Sequence, residues 1–256
     1  MKRVALYDLA EMPTTFDFAT WCVIAKTLGA NHVRFIYEGK IATWKYPEHI
    51  AWRRFANILI PLCRLAGMTY SMGAKVEGRT FPYMTGDTIK LFNSKGHIEK
   101  LKSVIQPPKG QYTTITLRDS FRNRYRNSNG EAWGKFKAYL ESIGKKVIVI
   151  PECEDDPVDI VERMALYVGA EMNLGANCGP MQLCLLSEAP YIVLNICPKN
   201  DTDEKTYDME RLLKDSGYWN VQFPFHNSRQ LLVWEPDSYE NILKSYQAMT
   251  LERVAA

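Results

Sequence analysis

The sequence predicts an α/β protein built from two Rossmann-like halves facing a cleft. Short β-rich apolar runs alternate with longer helical ones, and the alternation restarts after Pro107-Pro108-Lys109-Gly110. The chain has 256 residues, 46% of them hydrophobic, enough for two compact cores of ~100–150 residues.

Taken in order, Val4–Tyr7 reads as a buried strand, and Phe16 to Leu28 as a helix stopped at Gly29. Val33–Tyr37 is the next strand. Pro47 to Leu65 is a long amphipathic helix with proline near its start, and Met68–Met72 returns as a strand. A βαβαβ run of this kind favours a parallel sheet covered by helices. Residues 73–110 read as a looser stretch, so the boundary falls at 108/109, between a stiff Pro-Pro pair and a flexible Lys-Gly pair. Domains are therefore expected at 1–108 and 109–256.

In the second half, Thr113–Leu117 is a strand and Glu131–Ile143 a helix closed by Gly144. Within that helix Trp133, Phe136 and Leu140 share one face and belong to the core. Lys146–Ile150, with four β-branched residues in succession, is a strand. Pro157–Val168 is helical, Glu171–Leu174 a strand, Gly179–Ser187 helical and Tyr191–Leu194 a strand. A helix around 204–214, a strand at 231–234 and a helix at 238–251 complete the chain.

Composition excludes several classes. No apolar span approaches the ~20 residues a membrane helix needs, and no leader is expected in Met1-Lys2-Arg3 and the four apolar residues that follow. Six Cys without a CxxC pair or finger spacing argue for reduced thiols in the cytoplasm. Neither GxGxxG nor GxxxxGK[ST] occurs, so neither standard nucleotide loop is present. The net charge of +3 hides an asymmetry: residues 1–110 carry 16 Lys+Arg and 8 Asp+Glu, whereas 111–256 carry 16 and 21. A half with charge +8 calls for an anionic partner or for attraction to the −5 half.

Ligands of open parallel sheets bind at strand carboxyl ends, which ranks the polar clusters. Arg118, Arg122, Arg124 and Arg126 fall within nine residues after the strand ending at Leu117, and their forked donors suit a phosphate or diphosphate. Arg118, next to the strand, is the foremost candidate; a solvated basic turn is the plain alternative. Asn173, Asn177, Cys178, Gly179, Pro180 and Gln182 precede an apolar helical run, with Pro at its start. Such a helix terminus directs amides toward an anion, although small residues also fill ordinary strand-to-helix turns. Cys178 has no nearby base in sequence and is read as a capping residue. Glu152 is a candidate for ribose or Mg²⁺, while Asp155 and Asp156 are assigned to helix capping. Asp201-Thr202-Asp203 is a solvated turn. His32, His49, His97 and His226 are scattered, so no metal site is expected. Asp8, Glu11 and Asp17 lie in or beyond the loop after the first strand, where a carboxylate can act as general base.

The run Asn177-Cys178-Gly179-Pro180-Met181-Gln182-Leu183, followed by Pro190 and a hydrophobic strand, resembles the donor-nucleotide region of heptosyltransferase-type GT-B glycosyltransferases. Their signature is Asp-Thr/Ser-Gly-Pro-Met-His-Leu. Gly179, Pro180, Met181 and Leu183 match; Asn177, Cys178 and Gln182 stand where the family has Asp, Thr/Ser and His. The resemblance spans residues 111–195, and the strand followed by Arg118 is similar to the Arg-bearing strand of fucosyltransferase-like GT-B enzymes.

The resemblance implies a GT-B-like fold and inverting, metal-independent transfer from a nucleotide-diphosphate sugar, with no further cofactor. It implies a catalytic carboxylate after the first strand, for which Asp17 is the nearest counterpart and Asp8 and Glu11 are alternatives. The acceptor would be anionic, a glycan or a nucleic acid. A sugar-nucleotide epimerase of the same fold and a non-catalytic polyanion-binding module are the rival readings.

Overall fold

A computed structural model describes residues 3–120, 124–152, 159–197, 213–214 and 217–251. The chain divides into two compact units. One comprises Met1–Gln106 with Asp159–Ala165 and Leu186–Glu188; the other comprises Pro107–Val158, Leu166–Leu185 and Ala189–Ala256.

The first unit carries a parallel sheet in the order β1 (Val4–Asp8), β2 (His32–Ile36), β3 (Thr69–Gly73). Helix α1 (Asp17–Thr27) joins β1 to β2 and is buried at every position from Phe18 to Ala25, so it has no polar face to reveal its orientation in the sequence. Aromatic rings from strand and helix interlock: Tyr7 packs edge-on against Phe18 and Trp21 at centroid distances of 4.6 and 5.2 Å. The helical pattern of residues 47–65 resolves into α2 (Glu48–Arg54), a π turn (Phe55–Leu59) and α3 (Ile60–Leu65). Pro61 explains the widened turn, since it has no amide for the carbonyl four residues back and its ring crowds that carbonyl.

The stretch expected to be loose contains a helix, α4 (Thr85–Lys95). It buries few positions, among them Thr88 and Ile89, so its apolar stripe is too narrow to stand out. Its boundary signals are present nonetheless: Asp87 in the first turn, Lys95 in the last, and Gly96 closing it at φ +76°.

The second unit carries five parallel strands: β4 (Thr113–Arg118), β5 (Val147–Glu152), β6 (Met172–Ala176), β7 (Tyr191–Leu194) and β8 (Gln230–Leu232). Their spatial order is β5-β4-β6-β7-β8. The helices are α5 (Gly130–Ser142), α6 (Ile160–Gly169), of which only the residues from Leu166 on belong to this unit, the single-turn α7 (Gln182–Leu185) and α8 (Tyr239–Leu251). The helix expected around 204–214 falls almost wholly outside the described residues.

Period-2 alternation sorts this sheet's two faces. Ile115, Leu174, Ile192 and Leu194 pack with Trp133, Phe136 and Leu140 of α5 and with Ile242 and Tyr246 of α8. On the opposite face Thr116 Oγ1 meets Tyr167 Oη of α6 at 2.7 Å, and Thr114 Oγ1 donates to Asn173 Oδ1 at 2.6 Å. Gly175 lies on that face as well. A Cβ there would sit 3.0 Å from the Thr116 carbonyl and 3.2 Å from Met181 Sδ, so glycine is what lets the α7 turn close over β6.

One buried carboxylate fastens the rim. Asp237, 5% exposed, accepts from the Asn129 amide at 2.8 Å and from Trp133 Nε1 at 2.7 Å, while the Asn129 side chain caps α5 at the Ala132 amide. Asp237→Ala leaves the buried Trp133 indole and the Asn129 amide without their acceptor, and a loss of about 2–3 kcal/mol is expected. A urea titration should show the midpoint fall with the slope unchanged; an unchanged midpoint would remove Asp237 from this role.

Candidate functional site

The strand order reverses between β4 and β6, and right-handed crossovers therefore place α5 and α6 on opposite faces of the second sheet. At such a reversal the loops leaving two adjacent strands diverge and open a crevice beyond their carboxyl ends. The loops here are the arginine-rich segment after Arg118 and the turn Asn177–Gly179, and a hydrogen bond joins them: Arg126 Nη2 donates to the Asn177 carbonyl at 3.4 Å.

The arginine loop folds around two short polar residues. The Arg118 amide donates to Ser128 Oγ at 2.8 Å and the Ser128 amide to the Arg118 carbonyl at 2.9 Å, closing the loop on its own base. Asn127 braces the interior: its Oδ1 accepts from the Ser120 amide at 3.0 Å and its Nδ2 donates to the Ser120 carbonyl at 3.0 Å. Arg118 is buried, Arg126 half-buried and Arg124 exposed. Arg122 lies outside the described residues, as do Asp155, Asp156 and Asp201–Asp203. Glu152 is the last residue of β5, paired with Arg118 across the ladder, and so belongs to the same rim.

The Asn173–Gln182 cluster divides. Asn173 is fully buried, and its amide nitrogen donates to the carbonyls of Tyr167 at 2.8 Å and Pro190 at 2.7 Å, while its oxygen takes the Thr114 hydroxyl. It is a core residue rather than a ligand. Asn177 Nδ2 donates to the Ile196 carbonyl at 2.7 Å and its amide to the Leu194 carbonyl at 2.9 Å, so its side chain ties the end of β6 to the segment just beyond β7. Cys178 is buried, Gly179 and Gln182 are half-buried, and Pro180 is buried. The long helix expected over 179–187 is one turn, Gln182–Leu185. Its leading amides are already used: Gln182 donates to the Gly179 carbonyl and Leu183 to the Pro180 carbonyl. The Gln182 and Leu183 amides are therefore not directed at an anion, as the first amides of a long helix would be.

In the first unit, the loop from Leu9 to Phe16 carries the candidate carboxylates. Asp8 closes a turn on its own loop, accepting from the Ala10 amide at 2.9 Å, and Glu11 is exposed. Asp17 opens α1; its Oδ2 accepts from Thr15 Oγ1 at 2.8 Å and lies 3.8 Å from Lys45 Nζ, with nearly half of its side chain exposed. Of the three, Asp17 combines an oriented carboxylate with access from solvent. Tyr7, beneath the loop, donates to the Pro13 carbonyl at 2.6 Å. Burial, followed by the negative charge of Asp17, holds its phenol well above the ordinary range.

Thr15 and Lys45 carry no local signal that singles them out in the sequence. Applying the carboxyl-end rule to the second strand as well as the first would have found Lys45. Arg126 belongs to the arginine run already singled out, but it stands eight residues beyond the strand, and its nearness to Asn177 depends on the loop folding back. Among the described residues no group of three His, Cys, Asp or Glu is placed to hold a metal ion, and no helix is long and apolar enough to cross a membrane.

No family model and no curated protein matches the chain. Among solved structures it is similar to the iron-containing dodecameric glycosyltransferase TibC of enterotoxigenic E. coli H10407, at 14% identity and a TM-score of 0.43. It is also similar to the heptosyltransferase TibC in complex with ADP-D-β-D-heptose, at 15% identity and a TM-score of 0.47. Both alignments cover 75% of this chain and 58% of TibC. The E. coli heptosyltransferase WaaC with ADP-2-deoxy-2-fluoro heptose aligns over 97% of this chain and 99% of WaaC, at 9% identity and a TM-score of 0.47.

The state of Tyr7 has a measurable consequence. Above pH ~10 an unfolded chain releases the phenolic proton that the fold retains, so stability falls as pH rises, by about 1.4 kcal/mol per pH unit for that one proton. Tyr7→Phe removes this contribution. Denaturant titrations between pH 9.5 and 11 should give the variant the shallower decline; parallel declines would show that Tyr7 ionises equally in both states.

Proposed function

We propose that the protein is a GT-B-type glycosyltransferase that moves a sugar from a nucleotide-diphosphate sugar to an acceptor hydroxyl. The observation that carries the reading is the bond from Arg126 to Asn177. It joins an arginine-rich loop to a turn resembling a donor-nucleotide motif, at the point where a parallel sheet reverses its strand order. In this reading residues 109–256 are the donor domain and 1–108 the acceptor domain.

The roles follow from chemistry. Arg118, Arg122, Arg124 and Arg126 would neutralise the diphosphate as it departs, a task that otherwise falls to a divalent ion, so transfer needs no metal and no further cofactor. Glu152 would accept from the ribose hydroxyls, and the Asn177–Pro180 backbone with Gln182 would border the sugar. Asp17 would take the acceptor proton as oxygen attacks the anomeric carbon, with Asp8 and Glu11 as alternatives. Direct displacement by the acceptor inverts that carbon. Thr15 holds the carboxylate in one orientation, and Lys45 keeps positive charge beside it. An excess of positive charge in residues 1–110 suits an anionic acceptor, a glycan or a nucleic acid, and the reduced thiols suit the cytoplasm.

Thermal shift over UDP, GDP, ADP, CMP and TDP tests the donor half. One diphosphate is expected to stabilise the protein, and Arg118→Ala and Arg126→Ala to abolish the shift. Turnover of a panel of ADP-, GDP- and UDP-sugars that includes ADP-heptose is expected to survive EDTA and to fall about 100-fold or more in Asp17→Asn. Binding that ignores the nucleotide, follows salt alone and survives both arginine variants would sink the enzyme reading in favour of a polyanion-binding module. Conversion of the nucleotide sugar without an acceptor or diphosphate release would favour an epimerase.

A further inference from the structure

The loop carrying Asp17 is held from below at two consecutive carbonyls. Tyr7 Oη of β1 donates to the Pro13 carbonyl at 2.6 Å, and Arg54 Nε of α2 donates to the Thr14 carbonyl at 2.8 Å. Arg54 is 6% exposed, and its guanidinium lies 4.3 Å from the centroid of the Tyr46 ring. A cation this deeply buried inside a small unit is costly unless its donors are used and its charge is met. The two clamped residues lead directly into Thr15, whose hydroxyl holds Asp17 and whose amide returns to the Pro13 carbonyl at 2.9 Å. Pulling on the Thr14 carbonyl therefore shifts the base of the turn that aims Thr15 Oγ1.

We infer that Arg54 is a positioning residue for the Asp17 carboxylate, acting through the Thr14 carbonyl and Thr15. This rests on the reading of Asp17 as the base in sugar transfer. It goes beyond that reading in assigning a function to a buried arginine in a different helix, acting through its bond to the loop backbone at Thr14. The Tyr46 ring limits the swing of the guanidinium, and Tyr7 fixes the neighbouring carbonyl, so the Nε–H has one direction in which to act. Lysine cannot reproduce it, because its ammonium carries no donor at the Nε position and no planar face to stack on Tyr46.

Arg54→Ala and Arg54→Lys, compared with the parent protein by hydrogen exchange, decide the matter. Amides 9–19 are expected to exchange at least 10-fold faster in both variants, with residues 111–118 and 172–194 unchanged. Millimolar ethylguanidinium should restore protection in Arg54→Ala, whereas ethylammonium should not. With the fastest nucleotide sugar of the panel, kcat should fall about 100-fold at an unchanged donor KM, and ethylguanidinium should recover part of it. Faster exchange throughout the first unit, no rescue, or protection of 9–19 equal to the parent would overturn the inference. If Asp17→Asn keeps full turnover, the base reading fails, and exchange with its rescue still decides whether Arg54 holds the loop.

Discussion

The reversal of strand order between β4 and β6 is the constraint from which the second unit's rim follows. Parallel strands with right-handed crossovers must send α5 to one face and α6 to the other when the first connection runs outward and the second runs back. That requirement separates the Arg118 loop from the Asn177 turn and leaves room between them. It also demands that both faces of β4 be buried, and the sequence meets this with apolar residues on one face and threonines on the other. Ile115 joins the cluster of α5 and α8, while Thr114 and Thr116 satisfy Asn173 and Tyr167.

Polar groups on the buried face are tolerated because they bond one another or neighbouring carbonyls, within the sheet and across to α6. Asn173 takes up two carbonyls, from Tyr167 and Pro190, that would otherwise face an apolar layer. Asp237 does the same on the other face for the Asn129 amide and the Trp133 indole. The two residues work in opposite senses, one mainly donating and one accepting. Between them they fix α5, α6 and β7 to the sheet at depths where a missing partner costs more than a formed bond contributes.

Strands were the legible part of the sequence. Lys146–Ile150 and Tyr191–Leu194 announce themselves by β-branched and aromatic runs, and β5 and β7 lie there with small shifts at the ends. Helices with a clear apolar stripe, such as the Trp133–Phe136–Leu140 face of α5, were equally legible. What failed were elements whose burial departs from the usual stripe. Helix α4 buries too narrow a stripe, and α7 is a single turn buried at Leu183, Cys184 and Leu185, too short to show a helical period. The candidate site divided along the same line. Arg118 follows from its place at a strand end and Asp17 from the loop after β1, whereas Arg126 and Arg54 bond backbone carbonyls 51 and 40 residues away, which no local pattern encodes.

The alternation of Asn173, Gly175, Asn177 and Gly179 shows how packing can imitate a binding site. Period-2 spacing directs the first three to one face of β6, which makes them look like a row of ligands in the sequence. Each has a separate structural cause. Asn173 closes the buried carbonyls, Gly175 makes space for Met181 over Thr116, and Asn177 bonds the Ile196 carbonyl beyond β7. Removing these duties leaves the backbone of the turn after Asn177 and the arginines across from it. Nothing in this turn carries charge, so a diphosphate there would draw its electrostatic stabilisation from the arginine loop. In the proposed transferase reading, Asn177 and Gln182, standing where the resembled signature has Asp and His, would change what borders the sugar more than what neutralises the phosphates. On that reading, substitutions in this turn should alter the choice of sugar while the arginine loop sets the preference for a diphosphate.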